Sequence, residues 1–147
     1  MTKTVIIIGG GHNGLVCAAY LAKAGLEVTV VERRPVLGGA AVTEEFHPGF
    51  RNSIASYTVS LLHPKIIADL NLARHGLRII PRRINNYLPL PDGDAFIAWP
   101  EPESLQREIA RFAESDIDNL RHYNQLLAAV VPIIKDLLLQ TPPAIHA

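Results

Sequence analysis

The stretch Val5-Ile6-Ile7-Ile8-Gly9-Gly10-Gly11-His12-Asn13-Gly14 decides the fold. It starts as an apolar, β-branched run over Thr4 to Ile8, the composition of a buried parallel strand. Gly9 then lets the strand turn sharply, Gly11 leaves the backbone bare for a close-lying phosphate, and Gly14 lets the next helix pack tightly on the strand. That helix has a small-residue face of Leu15, Val16, Ala18, Ala19, Leu21 and Ala22, and Gly25 stands where a C-cap glycine belongs. Its N-terminus carries about half a positive charge and unpaired N–H groups, which suits an anion. Glu27 to Glu32 has the composition of a second strand with Val28 and Val30 on one side. Glu32 lies 21 residues after Gly11, near the spacing of about 20 for an acid that accepts from a ribose hydroxyl. A plain βαβ unit with a glycine turn accounts for less of this set than a dinucleotide site does. His12 and Asn13 fall inside the phosphate loop, where turn composition explains them as well as any chemical role.

Which dinucleotide follows from the next residues. Nicotinamide-binding domains often stop at the acid, whereas here the chain adds Glu32-Arg33-Arg34-Pro35-Val36-Leu37-Gly38-Gly39. A double glycine six residues after the acid lets the chain fold back over the same cofactor. With this extension the sequence resembles the flavoprotein superfamily of amine oxidases, carotenoid desaturases and Rab GDP dissociation inhibitors. The resemblance implies that Glu32 holds the adenosine ribose of FAD, that Arg34 lies near the ribose and phosphates, and that Gly38 and Gly39 pack along the cofactor. Arg33 is either a further site residue or a solvated residue at a strand end. Many members of the superfamily carry arginine directly after the glycine pair. This chain has Ala40 there, so one phosphate contact of the family is missing. FAD is the expected cofactor, with NAD(P) as the alternative.

Beyond residue 40 the resemblance narrows to the phytoene-desaturase-like branch. The residues that carry it are Gly38-Gly39-Ala40-Ala41-Val42-Thr43-Glu44-Glu45, Pro48-Gly49-Phe50-Arg51, Ser53 with Ser56-Tyr57, His63 to Leu70, His75-Gly76-Leu77 and Thr141-Pro142-Pro143. The resemblance makes Arg51, Ser53 and Ser56 candidates for the flavin side, against an ordinary polar loop. Disulfide reductase chemistry needs two cysteines beside the flavin. The chain has one, Cys17, whose place on a helix face is that of a small buried hydrophobe. The catalytic residues are left open, because flavin chemistry asks the protein for position and electrostatics more than for an acid or base.

Composition bounds the remaining classes. The chain has 147 residues, with 14 Lys plus Arg against 14 Asp plus Glu. That balance gives no electrostatic case for nucleic acid or an anionic membrane. The histidines at 12, 47, 63, 75, 122 and 146 show no short ligand spacing with Cys or carboxylates, so no metal is expected. The apolar start is broken at once by three glycines, which argues against a signal peptide. No segment reaches the ~20 apolar residues of a membrane span, although peripheral membrane contact is compatible with the family. A single cysteine fits a reducing compartment, cytoplasmic or the mitochondrial matrix.

After residue 60 the pattern changes. A short helix is predicted near 63–73 with Pro64 in its first turn, then a strand over Leu77 to Pro81. Asn86 to Leu90 and Ala95 to Trp99 flank Pro91-Asp92-Gly93-Asp94 and predict a hairpin. Pro102 opens a helix with Leu105, Ile109, Phe112 and Ala113 on one face. Ser115 and Asp118 have capping-box spacing and start a last helix that runs toward Gln140 and is kinked or split at Pro132. The expected fold class is α/β. A Rossmann-like FAD-binding βαβ unit over 1–60, with an incomplete doubly wound sheet, precedes the mixed strand and helix start of a substrate domain over 61–147. Two convincing parallel strands are too few for a complete sheet, so the chain is expected to be the N-terminal part of a longer flavoprotein. The expected activity is hydride removal from a C–C or C–N bond of a small or lipophilic substrate, or isomerisation. A flavin-free escort protein on the same scaffold is the rival from another class.

Overall fold

In a computed structural model, residues 2–142 are described, so Pro143 and His146 lie outside the described residues. The chain divides into two compact units, Met1–Ile80 and Pro81–Ala147.

The first unit begins with β1 (Thr4–Ile8), α1 (His12–Lys23) and β2 (Glu27–Val31). β1 and β2 pair in parallel from Thr4↔Glu27 to Ile8↔Val31, with α1 as the crossover. At the C-terminal end of α1, the amide of Gly25 donates to the carbonyl of Ala22 at 3.0 Å. Gly25 sits at φ +85°, the left-handed conformation that lets the chain leave a helix. Only one side of the sheet is covered: Val5, Ile7, Val28 and Val30 are half-buried, whereas Ile6 is 65% and Ile8 90% exposed. β1 is therefore not the doubly buried strand its composition predicts, because a single helix packs on one face. Cys17 is likewise exposed rather than buried, since no other described element covers its side of α1.

β3 (Thr43–His47) and β4 (Phe50–Ser53) form an antiparallel hairpin around Pro48-Gly49. α2 (Pro64–Asp69) follows and is shorter than predicted. Asn71 takes the left-handed conformation at φ 48° and breaks it, leaving a 3₁₀ turn over Leu72–His75. α2 is stapled to α1 by Asp69, whose carboxylate accepts from Tyr20 Oη at 2.8 Å and whose carbonyl accepts from Lys23 Nζ at 2.5 Å. The Lys65 ammonium at 2.7 Å and the Tyr20 hydroxyl hold the Asp69 carboxyl below the usual carboxylate range. The predicted strand at Leu77 to Pro81 does not form. A strand is defined by its ladder, and no described strand lies beside this segment to complete one.

In the second unit, β5 (Asn86–Pro89) and β6 (Ala95–Ala98) make the predicted hairpin, each strand one residue shorter than expected at its C-terminal end. α3 (Pro102–Ala110) packs on β6, with Leu105 and Ile109 half-buried. Phe112, just beyond it, stands edge-on to Phe96 with ring centres 5.7 Å apart. Glu108 of α3 is buried, and its Oε1 accepts from the Ile97 amide at 3.0 Å and from the Arg111 guanidinium at 2.8 Å. One carboxylate thus ties hairpin to helix. α4 (Asp116–Leu137) runs as one helix through Pro132, which does not split it. The capping box is absent: Ser115 is itself helical, at φ −59° and ψ −22°, and its side chain makes no cap bond.

Glu108→Ala leaves the Ile97 amide and Arg111 without their shared acceptor. The expected cost is about 1.5–3 kcal/mol, the range for hydrogen bonds to a charged group. It should appear as a lower urea midpoint with an unchanged slope.

Candidate dinucleotide-binding site

The glycine loop is set by steric limits within the fold. Gly9 sits at φ +103°, which L side chains rarely adopt, and its amide donates to the Val31 carbonyl at 2.8 Å. The turn out of β1 is therefore locked to the end of β2. A Cβ on Gly14 would lie 2.2 Å from the Gly9 carbonyl oxygen, so the third glycine of the motif is needed for the helix to approach the turn. Gly11 is the N-cap of α1 and makes no side-chain cap bond, and the first turn carries no acid. The amides of that turn point to the loop with no side chain or carboxylate competing for them.

Glu32 closes the other side. Its Oε2 accepts from the Gly10 amide at 2.7 Å and its Oε1 from the Arg34 amide at 3.0 Å. These two backbone N–H groups, Arg34 first and Gly10 next, hold the Glu32 carboxyl below the usual carboxylate range. The carboxylate form, able to accept from a hydroxyl, is thereby favoured. The glycine pair returns to the same place: the Gly38 amide donates to the Gly10 carbonyl at 2.8 Å. A Cβ on Gly39 would come within 2.9 Å of Gly11 Cα. Two bare backbones meet here, which explains why a double glycine follows the acid. A Cβ on Gly11 itself would meet only Gly39 Cα at 3.8 Å, an ordinary contact, so the open space above Gly11 is not used by the fold.

The structure therefore brings together Gly9, Gly11, Gly14, Glu32, Gly38 and Gly39, with His12 and Asn13 in the first turn of α1. Arg33 lies beside Glu32 and adds to the lowering of its pKa. The Arg34 guanidinium pairs with Glu44 on β3. Ala40 is exposed in the 3₁₀ turn that follows the glycine pair. Arg51 stands across from Glu45 in the β3–β4 hairpin, and no hydrogen bond or ion pair joins it to the loop among the described residues. Sequence reasoning missed three participants. Gly10 is the buried bonding partner of both Glu32 and Gly38. Leu37 sits where a Gly10 side chain would go, with its Cδ2 2.5 Å from that Cβ position. Glu44 pairs with Arg34. The motif spacing marks Gly9, Gly11 and Gly14 alone, and the Gly-Gly-Gly run was the available signal for the fourth.

The strand, turn, helix and acid define a Rossmann-like dinucleotide-binding domain. The NAD(P)-binding Rossmann-like domain family matches residues 7–70. The chain is homologous to the phytoene desaturases and to pyridine nucleotide-disulfide oxidoreductase domain-containing protein 2. The rat form of the latter is 41% identical over 97% of this chain and 26% of its own length. A limonene dehydrogenase polypeptide of Castellaniella defragrans is 41% identical over 80% of this chain and 21% of its own length. Among solved structures, a CLA-producing fatty acid isomerase from P. acnes shares the fold, with a TM-score of 0.51 at 22% identity over 86% of this chain and 27% of its own. The chain spans about a quarter of the length of these proteins.

The lowered Glu32 pKa fixes a sign. Its stabilising contribution is present above the usual carboxylate pKa and is lost as pH falls through the lowered one. Thermal melts of the wild type and Glu32→Gln should therefore differ most near neutral pH and converge only below the usual carboxylate range. A gap that widened on acidification would contradict the assigned bonds.

Proposed function

We propose that this chain forms the cofactor-binding start of an FAD-dependent oxidoreductase whose remaining parts lie in a longer polypeptide. The observation that carries the reading is the glycine pair seated on Gly11 beside the Glu32 carboxylate. A second chain segment there gives the site an additional wall, which supports FAD over a nicotinamide cofactor in a site ending at its acid. The residues fit FAD: the Gly9–Gly14 loop and the first-turn amides, including those of His12 and Asn13, receive the diphosphate. Glu32 accepts from the adenosine ribose. Arg33 and Arg34 supply positive charge at its edge, Gly38, Gly39 and Ala40 line the cofactor, and Arg51 serves the flavin side. FAD, when bound, takes a hydride from a C–C or C–N bond or assists an isomerisation, while the protein supplies position and electrostatics. Residues 1–60 belong to the cofactor domain and 61–147 begin the substrate domain. Limonene and phytoene, named for two of the relatives, are hydrocarbons, which favours a lipophilic substrate, with peripheral membrane contact as its route of access.

The family description favours a second reading, NAD(P) in the same loop. Chromatography of the cofactor released from the natural full-length polypeptide separates the two. Released FAD supports the proposal, and released NAD(P) replaces it.

Gly11→Ala is the clean variant. Its new methyl finds only an ordinary contact within the protein, yet it stands where the diphosphate approaches. Cofactor affinity should fall at least tenfold with an unchanged melting temperature. Normal flavin content in Gly11→Ala and in the bulkier Gly11→Val would sink the assignment. Glu32→Ala should weaken binding roughly ten- to a hundredfold through loss of a charge-assisted bond.

A further inference from the structure

α4 carries an unbroken apolar run from Leu126 to Ile134, bounded by Gln125 and by Lys135-Asp136. Successive residues of a helix stand about 100° apart, so nine in a row cover its whole circumference. The exposures agree: Leu126 is 54%, Val130 49%, Val131 37%, Ile133 63% and Ile134 53% exposed. Only Ile117 and Leu120, near the start of α4, are half-buried. A helix that is apolar on every side belongs inside a core or a bilayer.

Three occupants compete. A bilayer does not suit the run, because nine helical residues rise about 14 Å against a hydrocarbon thickness of about 30 Å. No helix among the described residues is long and apolar enough to cross a membrane. A helix lying on a lipid surface needs a polar outer face, and this run has none. A second copy seated along α4 would cover one side and leave the other in water. Enclosure from all sides remains, and the relatives supply a source for it, being about four times as long as this chain.

We infer that the Leu126–Ile134 part of α4 is a core helix, enclosed on all sides by further polypeptide of the same protein. The inference rests on the longer-polypeptide part of the reading above and not on the identity of the cofactor. The test uses the natural full-length polypeptide with Cys17 and every other native cysteine replaced by serine. The single variants Ala128→Cys, Ala129→Cys, Val130→Cys and Val131→Cys sample four directions around the helix. A water-soluble maleimide reports each thiol, native against urea-unfolded, with circular dichroism checking that each variant keeps its fold. All four thiols should react at least a hundredfold more slowly in the native protein. Protection on one side only would overturn the inference in favour of a second copy or a lipid surface, which particle mass and vesicle flotation then tell apart. Fast labelling at all four would also overturn it. Because the readout needs no flavin, failure of the cofactor assignment leaves this test standing.

Discussion

The peptide group of Gly10 is the joint on which the site depends. Its N–H donates to Glu32 at the end of β2, and its carbonyl accepts from Gly38 in the returning segment. A single buried residue thereby fixes the acid and the glycine pair relative to the phosphate loop. Because both bonds use backbone atoms on the loop side, they are insensitive to rotamer choice and hold the site at fixed geometry. The close contact of Gly39 with Gly11 is a consequence of this clamp. In the proposed reading the clamp gives Glu32 a double role, since its Oε2 supports the loop while the carboxylate accepts from a ribose hydroxyl.

Little else in the chain is so tightly held. Val42 and Ala95 are the only buried hydrophobic residues among those described. The ion pairs of Arg34 with Glu44 and of Lys65 with Asp69 are partly exposed, and pairs of that kind contribute little in water. The second unit relies on the Glu108 carboxylate because its backbone bond joins hairpin to helix where apolar packing is sparse. The bare face of β1 and the naked circumference of α4 have one physical origin. Each is an element whose sequence specifies burial on more sides than this stretch of chain can provide.

That origin also explains what the sequence made legible. The strand–loop–helix–strand unit was readable because its constraints are local: glycine spacing, a β-branched run, and an acid at the end of β2. The β5–β6 hairpin was readable from Pro91-Asp92-Gly93-Asp94 for the same reason. The β3–β4 hairpin was missed, although Pro48-Gly49 lies between Phe46 and Phe50, because Thr43-Glu44-Glu45 has no apolar alternation to mark a strand. Leu77 to Pro81 has strand composition, but composition cannot supply the neighbour that makes a strand. Ser115 and Asp118 have the spacing of a capping box, yet Ser115 continues the helical backbone and removes the geometry that a cap requires. Gly10 escaped because motif spacing counts glycines and does not say which one lends its peptide group to the acid.

The charges around the loop bear on how a diphosphate would be held. Glu32 and Glu44 balance Arg33 and Arg34, and Arg34 already has Glu44 as its counter-ion. Ala40, next after the glycine pair, adds no charge to the loop. In the proposed reading, attraction at this site comes less from net charge than from backbone N–H groups at the start of α1, which carry partial charges fixed in direction and cost no side-chain ordering. Such a site depends on clearance, because an amide donor works only if the phosphate can reach it. The bare Cα of Gly11 provides that clearance, and the clamp through Gly10 keeps Gly39 from closing it.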